Sequence, residues 1–280
     1  MPFTGSHRSR RGFVGAAVAV FAAVAVVPAY LYFAQDHLIF LPQPLAPDRV
    51  PGRAGVEEVE VRSPDGTRLR GWLVPAADPG TRAPLLIYFG GNAEEVSWLL
   101  DAAPRFARWS LLLVNYRGYG RSEGQPGERE LFADALALFD YATARPDVDA
   151  NAVVAMGRSL GSGVAVHLAA ERPLAGVVLV TPFDSVTAVA QSLYPFAPVS
   201  LLLRHPFDSL SRAGAVRAPL LTIAAGRDGV IPPQRAARLH EAWAGPKRWR
   251  EFPDADHNGA VAHPAFWPEI EAFLAARVVP

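Results

Sequence analysis

The stretch Asn151–Gly163, NAVVAMGRSLGSG, limits the fold more than any other part of the chain. Its apolar run Ala152–Met156 reads as a buried strand, and Val164–Ala170 reads as the body of a helix. Between them stands Gly157-Arg158-Ser159-Leu160-Gly161, a G-x-S-x-G sequence of the kind that forms a nucleophile elbow when it joins a strand to a helix. The sharp turn lifts the serine hydroxyl clear of the sheet edge. Glycines on either side let strand and helix pass closely, because neither carries a Cβ. The first N–H groups of a helix have no partner inside it, so that of Leu160 can point at a developing oxyanion. A plain glycine turn with an ordinary serine would show the same five residues. What decides between the two is whether the remaining chain supplies a base and an acid.

The pattern around the elbow predicts an α/β fold. Val56–Arg62 alternates apolar and polar residues and reads as an edge strand, Pro64-Asp65-Gly66 reads as a turn, and Thr67–Val74 returns as its antiparallel hairpin partner. From Pro84 onward short apolar strands alternate with helices. Strands are expected over Leu85–Phe89, Leu111–Asn115, Val177–Val180, Leu220–Ala224 and Arg248–Phe252. Helices are expected over Ala93–Arg108, Gly127–Ala144, Pro233–Trp243 and Ala265–Ala276. Continuous apolar strands belong to parallel sheets covered on both faces. The chain therefore reads as one mostly parallel, twisted sheet with helices on both faces and an antiparallel start. Ligands bind such sheets at the carboxyl ends of the strands. One segment breaks the alternation. Within about 183–218, Val186–Leu193 and Val199–Leu203 read as short helices interrupted by Pro195, Pro198 and Pro206. They suggest a small helical lid whose Leu193, Tyr194, Phe196, Leu201, Leu202 and Leu203 either line a pocket or cover the core.

The N-terminal residues 1–34 read as a membrane anchor or a signal segment. Gly12–Phe33 is 22 residues without a charge, long enough to span a bilayer as a helix. Arg8, Arg10 and Arg11 precede it, which predicts a cytoplasmic N-terminus and a body beyond the membrane. Val27-Pro28-Ala29 could serve as a cleavage site, and Ser9–Val14 resembles a twin-arginine export signal. An uncleaved anchor is the favoured expectation. Residues 35–55 carry Pro42, Pro44, Pro47 and Pro51 and read as an irregular linker, leaving 56–280 as the main domain.

Charge and composition narrow the partners. Without the three N-terminal arginines the body holds 24 basic against 27 acidic residues, which argues against a nucleic-acid partner. There are no cysteines, hence no disulfide and no thiolate metal site. No phosphate loop, dinucleotide fingerprint or H-E-x-x-H metal motif occurs, so neither a cofactor nor a metal is expected.

A serine needs a base, and a histidine base needs a carboxylate to fix its tautomer. Of the seven histidines, His257 lies in Asp254-Ala255-Asp256-His257-Asn258, directly after the last expected strand, where a base facing the elbow must stand. His205, in the lid segment, could also approach. The acid is expected to be Asp228, in the loop leaving Leu220–Ala224, with Asp184 as the alternative. The order Ser159, Asp228, His257 is the one the elbow architecture uses. A second oxyanion donor should come from Gly90-Gly91-Asn92, after Leu85–Phe89, through the N–H of Asn92 or Gly91.

Taken together, several pieces resemble the α/β-hydrolases. They are Tyr88-Phe89-Gly90-Gly91-Asn92-Ala93, Asn115–Ser122, Gly157–Gly161, Thr181–Ser185, Pro206–Ser209, Gly226-Arg227-Asp228 and Asp256-His257-Asn258. The chain from about Val56 to Phe273 looks like the branch of small, often membrane-anchored serine hydrolases related to eukaryotic α/β-hydrolase-domain proteins and serine aminopeptidase-like hydrolases. The resemblance implies Ser159 as nucleophile, Asp228 as acid and His257 as base. It implies hydrolysis of a small-molecule acyl substrate, most simply an ester, with amide and thioester as alternatives. A catalytically lapsed, membrane-tethered binding protein on the same fold is the competing expectation. The chain departs from the branch at Gly90, where relatives carry histidine, so a more open or differently bonded wall is expected there.

Overall fold

The computed structural model describes residues 26, 29–46, 55–77, 82–195 and 197–277. A helix over residues 29–39 (α1) comes first. β1 (Glu57–Arg62) and β2 (Arg68–Val74) then pair antiparallel about the Pro64-Asp65-Gly66 turn. The alternating unit follows as β3 (Ala83–Phe89), β4 (Ser110–Val114), α2 (Glu128–Thr143), β5 (Val148–Arg158) and α3 (Leu160–Glu171). It continues with β6 (Gly176–Val180), three short helices α4 (Val186–Leu193), α5 (Val199–Leu202) and α6 (Leu210–Ala213), and then β7 (Leu220–Ala225). α7 (Pro233–Ala242), β8 (Lys247–Phe252) and α8 (Phe266–Ala275) complete it.

The eight strands form one sheet in the order β1-β2-β4-β3-β5-β6-β7-β8. β2 meets β4 antiparallel, and every pair from β4 to β8 is parallel. The reason lies in the strand sequences. β4, β6 and β7 are buried at every residue, so both sheet faces must be covered. Alternate residues serve the two layers. Leu85, Ile87 and Phe89 pack with α2 and α3, while Leu86 and Tyr88 pack with α8 and the segment after β3. Each such side chain contributes about 1.5–3 kcal/mol over its exposed state, so a one-residue slip of β3 is strongly disfavoured.

The strand order turns around at β3. The chain steps from β3 outward to β4, then returns to the other side of β3 as β5. Phe89 and Gly157 are therefore paired neighbours, and the loops leaving β3 and β5 emerge side by side. That switch point is where an open α/β sheet offers a crevice.

Three expectations change. The helix expected over Ala93–Arg108 is instead two 3-10 turns, Val96–Asp101 and Ala103–Phe106. Pro104 has no N–H to continue an α-helix, and Glu95 caps the first turn through Ser97 N–H. Residues 35–39 are helical rather than irregular, and Phe40 behind them is buried against Phe207. The segment 183–218 divides: α4 buries no residue, whereas Phe207, Ala213 and Val216 belong to the core. Only its first part roofs the strand ends. The anchor expectation is not among them: no helix among the described residues is long and apolar enough to cross a membrane. Most of the Gly12–Phe33 run lies outside the described residues, as does Phe196.

Candidate active site

Ser159 sits at the junction of β5 and α3 with φ 49° and ψ −116°. A non-glycine residue in that region is strained, and here the packing around it enforces the strain. A Cβ on Gly157 would lie 2.2 Å from the Gly161 carbonyl oxygen, and one on Gly161 would lie 2.1 Å from that of Phe89. Both glycines are thus required by close backbone approach. The turn is pinned further where Ser159 N–H donates to Val180 O at 2.9 Å.

The loops leaving β7 and β8 bring the partners. Ser159 Oγ is 2.9 Å from His257 Nε2, and His257 Nδ1 is 2.7 Å from Asp228 Oδ2. Asp228 and His257 are each only 8% exposed. The other Asp228 oxygen accepts the N–H groups of Val230 and Ile231 at 2.9 and 2.7 Å, which fixes the carboxylate plane. A carboxylate can only accept, so Nδ1–H donates to it and Nε2 is left to accept from the serine hydroxyl. Hydroxyl, imidazole and carboxylate therefore stand in series, able to move a proton off Ser159.

The β3 loop completes the floor. Leu160 N–H opens α3 and has no acceptor among the described residues. Gly91 N–H, one of the two expected donors, is already given to Glu94 Oε2 at 2.7 Å. That leaves Asn92 N–H beside Leu160. Asn92 is anchored by its own side chain, whose Oδ1 accepts from Leu41 N–H and Tyr119 O–H, both at 2.9 Å. Glu94 is the residue that sequence reasoning missed. It is 8% exposed, and its two oxygens accept four donors: Tyr88 O–H, Trp98 Nε1–H, Gly91 N–H and Arg158. Burial and the Glu94 charge push the Tyr88 phenol well above its ordinary value, so it remains a donor. Arg158 reaches Glu94 at 2.6 Å and Asn258 at 2.7 Å, tying the β3 loop to the loop that carries His257.

Against this geometry the likeness to known proteins is specific. The model of the family described as serine aminopeptidase, S33, matches residues 81–208. Uncharacterized protein Rv2307c of Mycobacterium tuberculosis is 37% identical over 252 residues, covering 86% of this chain and 88% of that one. The α/β-hydrolase domain-containing protein WAV2 of Arabidopsis thaliana is 26% identical over 274 residues, covering 88% and 87%. The chain belongs to the α/β-hydrolases. The fold agrees in solved structures. The acetyl xylan esterase of Paenibacillus sp. R4 superposes with a TM-score of 0.67 at 22% identity, over 82% of this chain and 87% of that one. The Pyrococcus furiosus esterase Pf2001 does so at 0.63 and 18%, over 84% and 99%.

In this hydrolase the remaining candidates are engaged elsewhere. The Asp184 carboxylate accepts from Ser185 N–H and Arg235, with Arg238 nearby, so it does not serve His257. His205 pairs with Asp36 through Nε2 and faces Glu128 N–H through Nδ1. The wall at Gly90 is not open. A Cβ there would meet Val96 Cγ1 at 3.1 Å and the Glu94 carboxyl at 3.4 Å, and the Gly90 carbonyl accepts Tyr116 O–H. Glu94 and Tyr116 supply the packing and bonding at this position.

Above Ser159 and Leu160 lies a cavity of about 410 Å³. α4 and α5 roof it, and α1 closes one side with Leu31, Gln35, Leu38 and Ile39. Leu193, Tyr194, Leu202 and Leu203 do line it, whereas Leu201 points to solvent at 83% exposure. Among the described residues, no acidic or basic side chain stands in its wall.

Proposed function

We propose that this α/β-hydrolase is a serine esterase that cleaves an ester with an apolar acyl chain. One observation carries the reading: a hydroxyl–imidazole–carboxylate series with contacts of 2.9 and 2.7 Å opens onto an uncharged cavity of about 410 Å³. Ser159 Oγ attacks the acyl carbonyl while His257 Nε2 takes its proton. The carbonyl oxygen gains charge and accepts from the N–H groups of Leu160 and Asn92. Asp228 holds the imidazolium. His257 then gives its proton to the leaving alcohol, and an acyl group remains on Ser159. Water, deprotonated by the same imidazole, releases the acid and restores the serine. No step calls on a metal or a cofactor.

Peptide-bond cleavage at a free N-terminus is the competing activity that the family description raises. A free α-ammonium group needs a carboxylate to receive it in a desolvated pocket. The described residues of the cavity wall include none, which favours an uncharged acyl chain. Amide and thioester substrates use the same steps and differ only in the leaving group.

The test is labelling of the protein with a fluorophosphonate, which reacts with an activated serine, followed by a series of p-nitrophenyl esters of rising chain length. Wild type should label and hydrolyse, with a preference for chains longer than acetyl. Ser159→Ala should lose both while keeping its far-UV spectrum and melting temperature. Folded wild type that neither labels nor hydrolyses would leave a binding protein on a hydrolase fold. An equal rate in Ser159→Ala would remove Ser159 from the chemistry.

A further inference from the structure

The hydrophobic side chains that this fold leaves in water are gathered on one face. Among the described residues, every large exposed one lies on α1, its exit or Val26 just ahead of it, on the α4–α5 segment, or in the loop after β7. Phe33 and Leu201 are the extremes, at 77% and 83% exposure. Leu38, Leu193 and Val230 are also more than half exposed, yet each lines the cavity. The apolar rim and the apolar cavity are therefore continuous. An exposed patch of that kind marks a place where something apolar is met.

What it meets is indicated by α1. This helix is fastened to the roof: Gln35 Nε2 donates to Leu202 O at 3.1 Å, and Gln35 Oε1 accepts Arg204 N–H at 2.6 Å. Arg204 also pairs with Asp36 at 2.6 Å and lies over the Tyr32 ring at 5.4 Å. Yet α1 is also the end of the charge-free run that begins at Gly12. With its last residues committed to the domain, 17 residues, Gly12–Pro28, remain ahead of α1. As a helix, a run of that length would rise about 26 Å, close to the ~30 Å of a bilayer's hydrocarbon core. A bilayer that held this run would meet the protein at the face α1 presents.

We propose that the face formed by α1 and the α4–α5 roof seats on the bilayer surface, and that the substrate is a membrane-resident acyl ester that enters the cavity from the lipid without crossing water. This rests on the esterase reading above. α1 is then a wall of the acyl site as well as the end of the anchor. Seating also reaches the floor of the site, because Leu41 N–H at the exit of α1 bonds Asn92 in the β3 loop.

The full chain in phosphatidylcholine nanodiscs tests this twice. Leu201→Trp should be quenched by brominated phosphatidylcholine well beyond the native tryptophans. Absence of extra quenching, including a face covered by a second copy of the chain, would overturn the proposal. Phe33→Glu combined with Leu201→Glu touches neither the cavity lining nor the polar floor. It should lower hydrolysis of a long-chain ester dissolved in the nanodisc by about tenfold or more, leaving a water-soluble short-chain ester unchanged. Unchanged rates on both, or equal losses on both, would refute it. If wild type hydrolyses neither ester, the esterase reading fails, while the quenching at position 201 still reports whether this face lies in lipid.

Discussion

The floor and the roof of the site are built by opposite means. On the floor, Ser159, Asp228, His257, Glu94 and Arg158 come from the ends of β5, β7, β8 and β3, and each is held by bonds from a second element. The roof is built differently. α4 buries nothing and α5 buries only Val199, the roof's polar ties to α1 run through Gln35 and Arg204, and the side it turns to the cavity is mostly apolar. A floor fixed by directional bonds between rigid strand ends suits chemistry that fails when atoms shift by an ångström. A roof whose cavity-facing side is mostly apolar suits selection by size and polarity. Substitutions in the floor should therefore change rate at nearly constant selectivity, and substitutions in the roof should do the reverse.

The largest effect expected is from Asp228→Asn. The asparagine oxygen can still accept from Val230 and Ile231, so the loop and the fold persist. Its amide nitrogen then faces His257 Nδ1 as a donor and forces the proton onto Nε2. The imidazole can no longer accept from Ser159, and kcat should fall roughly a thousand- to ten-thousand-fold with little change in melting temperature. Steady-state kinetics across the ester series, with thermal denaturation alongside, checks both halves. A loss confined to long-chain esters would break the contrast between floor and roof.

Glu94→Gln should come next. Tyr88 and Trp98 donate to one carboxylate oxygen, and Gly91 and Arg158 donate to the other. If the amide nitrogen faces Gly91 and Arg158, two obligate donors face a donor; if it faces Tyr88 and Trp98, Trp98 Nε1–H does, while the Tyr88 hydroxyl must turn to accept. Arg158, whose side chain is 13% exposed, also loses its countercharge. Breaking a buried pair in this way costs about 3–5 kcal/mol. That corresponds to a fall of roughly 10 °C in melting temperature for a domain of this size. Because Gly91 neighbours Asn92, kcat should drop about ten- to a hundredfold through a loosened oxyanion loop while KM moves little. An unchanged kcat in a destabilised protein would make Glu94 structural only.

How much of this could be read beforehand follows the same division. The strands were legible because buried parallel strands are apolar throughout, as in SLLLV of β4 and GVVLV of β6. Ser159 was legible because glycine on both sides of it is a local steric demand. Asp228 and His257 follow from their places after successive strands. Glu94 was not legible: its donors come from residues 88, 91, 98 and 158, and no local pattern distinguishes a buried loop glutamate from a solvated one. The only signal was an acid directly behind a Gly-Gly turn. The burial of Phe207 was hidden because a run rich in proline reads as loop whether or not it packs. α1 was hidden by its composition, since a charge-free stretch looks alike as an anchor and as a cavity wall.

The smallest expected effect is the most discriminating. Ala190 lines the cavity from α4. Ala190→Phe fills part of the acyl space, and the roof is loose enough to accept the ring without unfolding the sheet below. Each methylene that can no longer be buried costs about 0.8 kcal/mol, roughly a fourfold loss in kcat/KM. Esters long enough to reach Ala190 should lose about ten- to a hundredfold, whereas acetyl esters should be cleaved at the wild-type rate. Competition between a short and a long ester in one reaction measures that ratio directly and cancels any loss of active protein. An equal loss on both would show that the roof contributes to the chemistry and not to selection alone. A long chain cleaved as fast as before would place the acyl group elsewhere, because a side chain introduced into its path could not leave it unaffected.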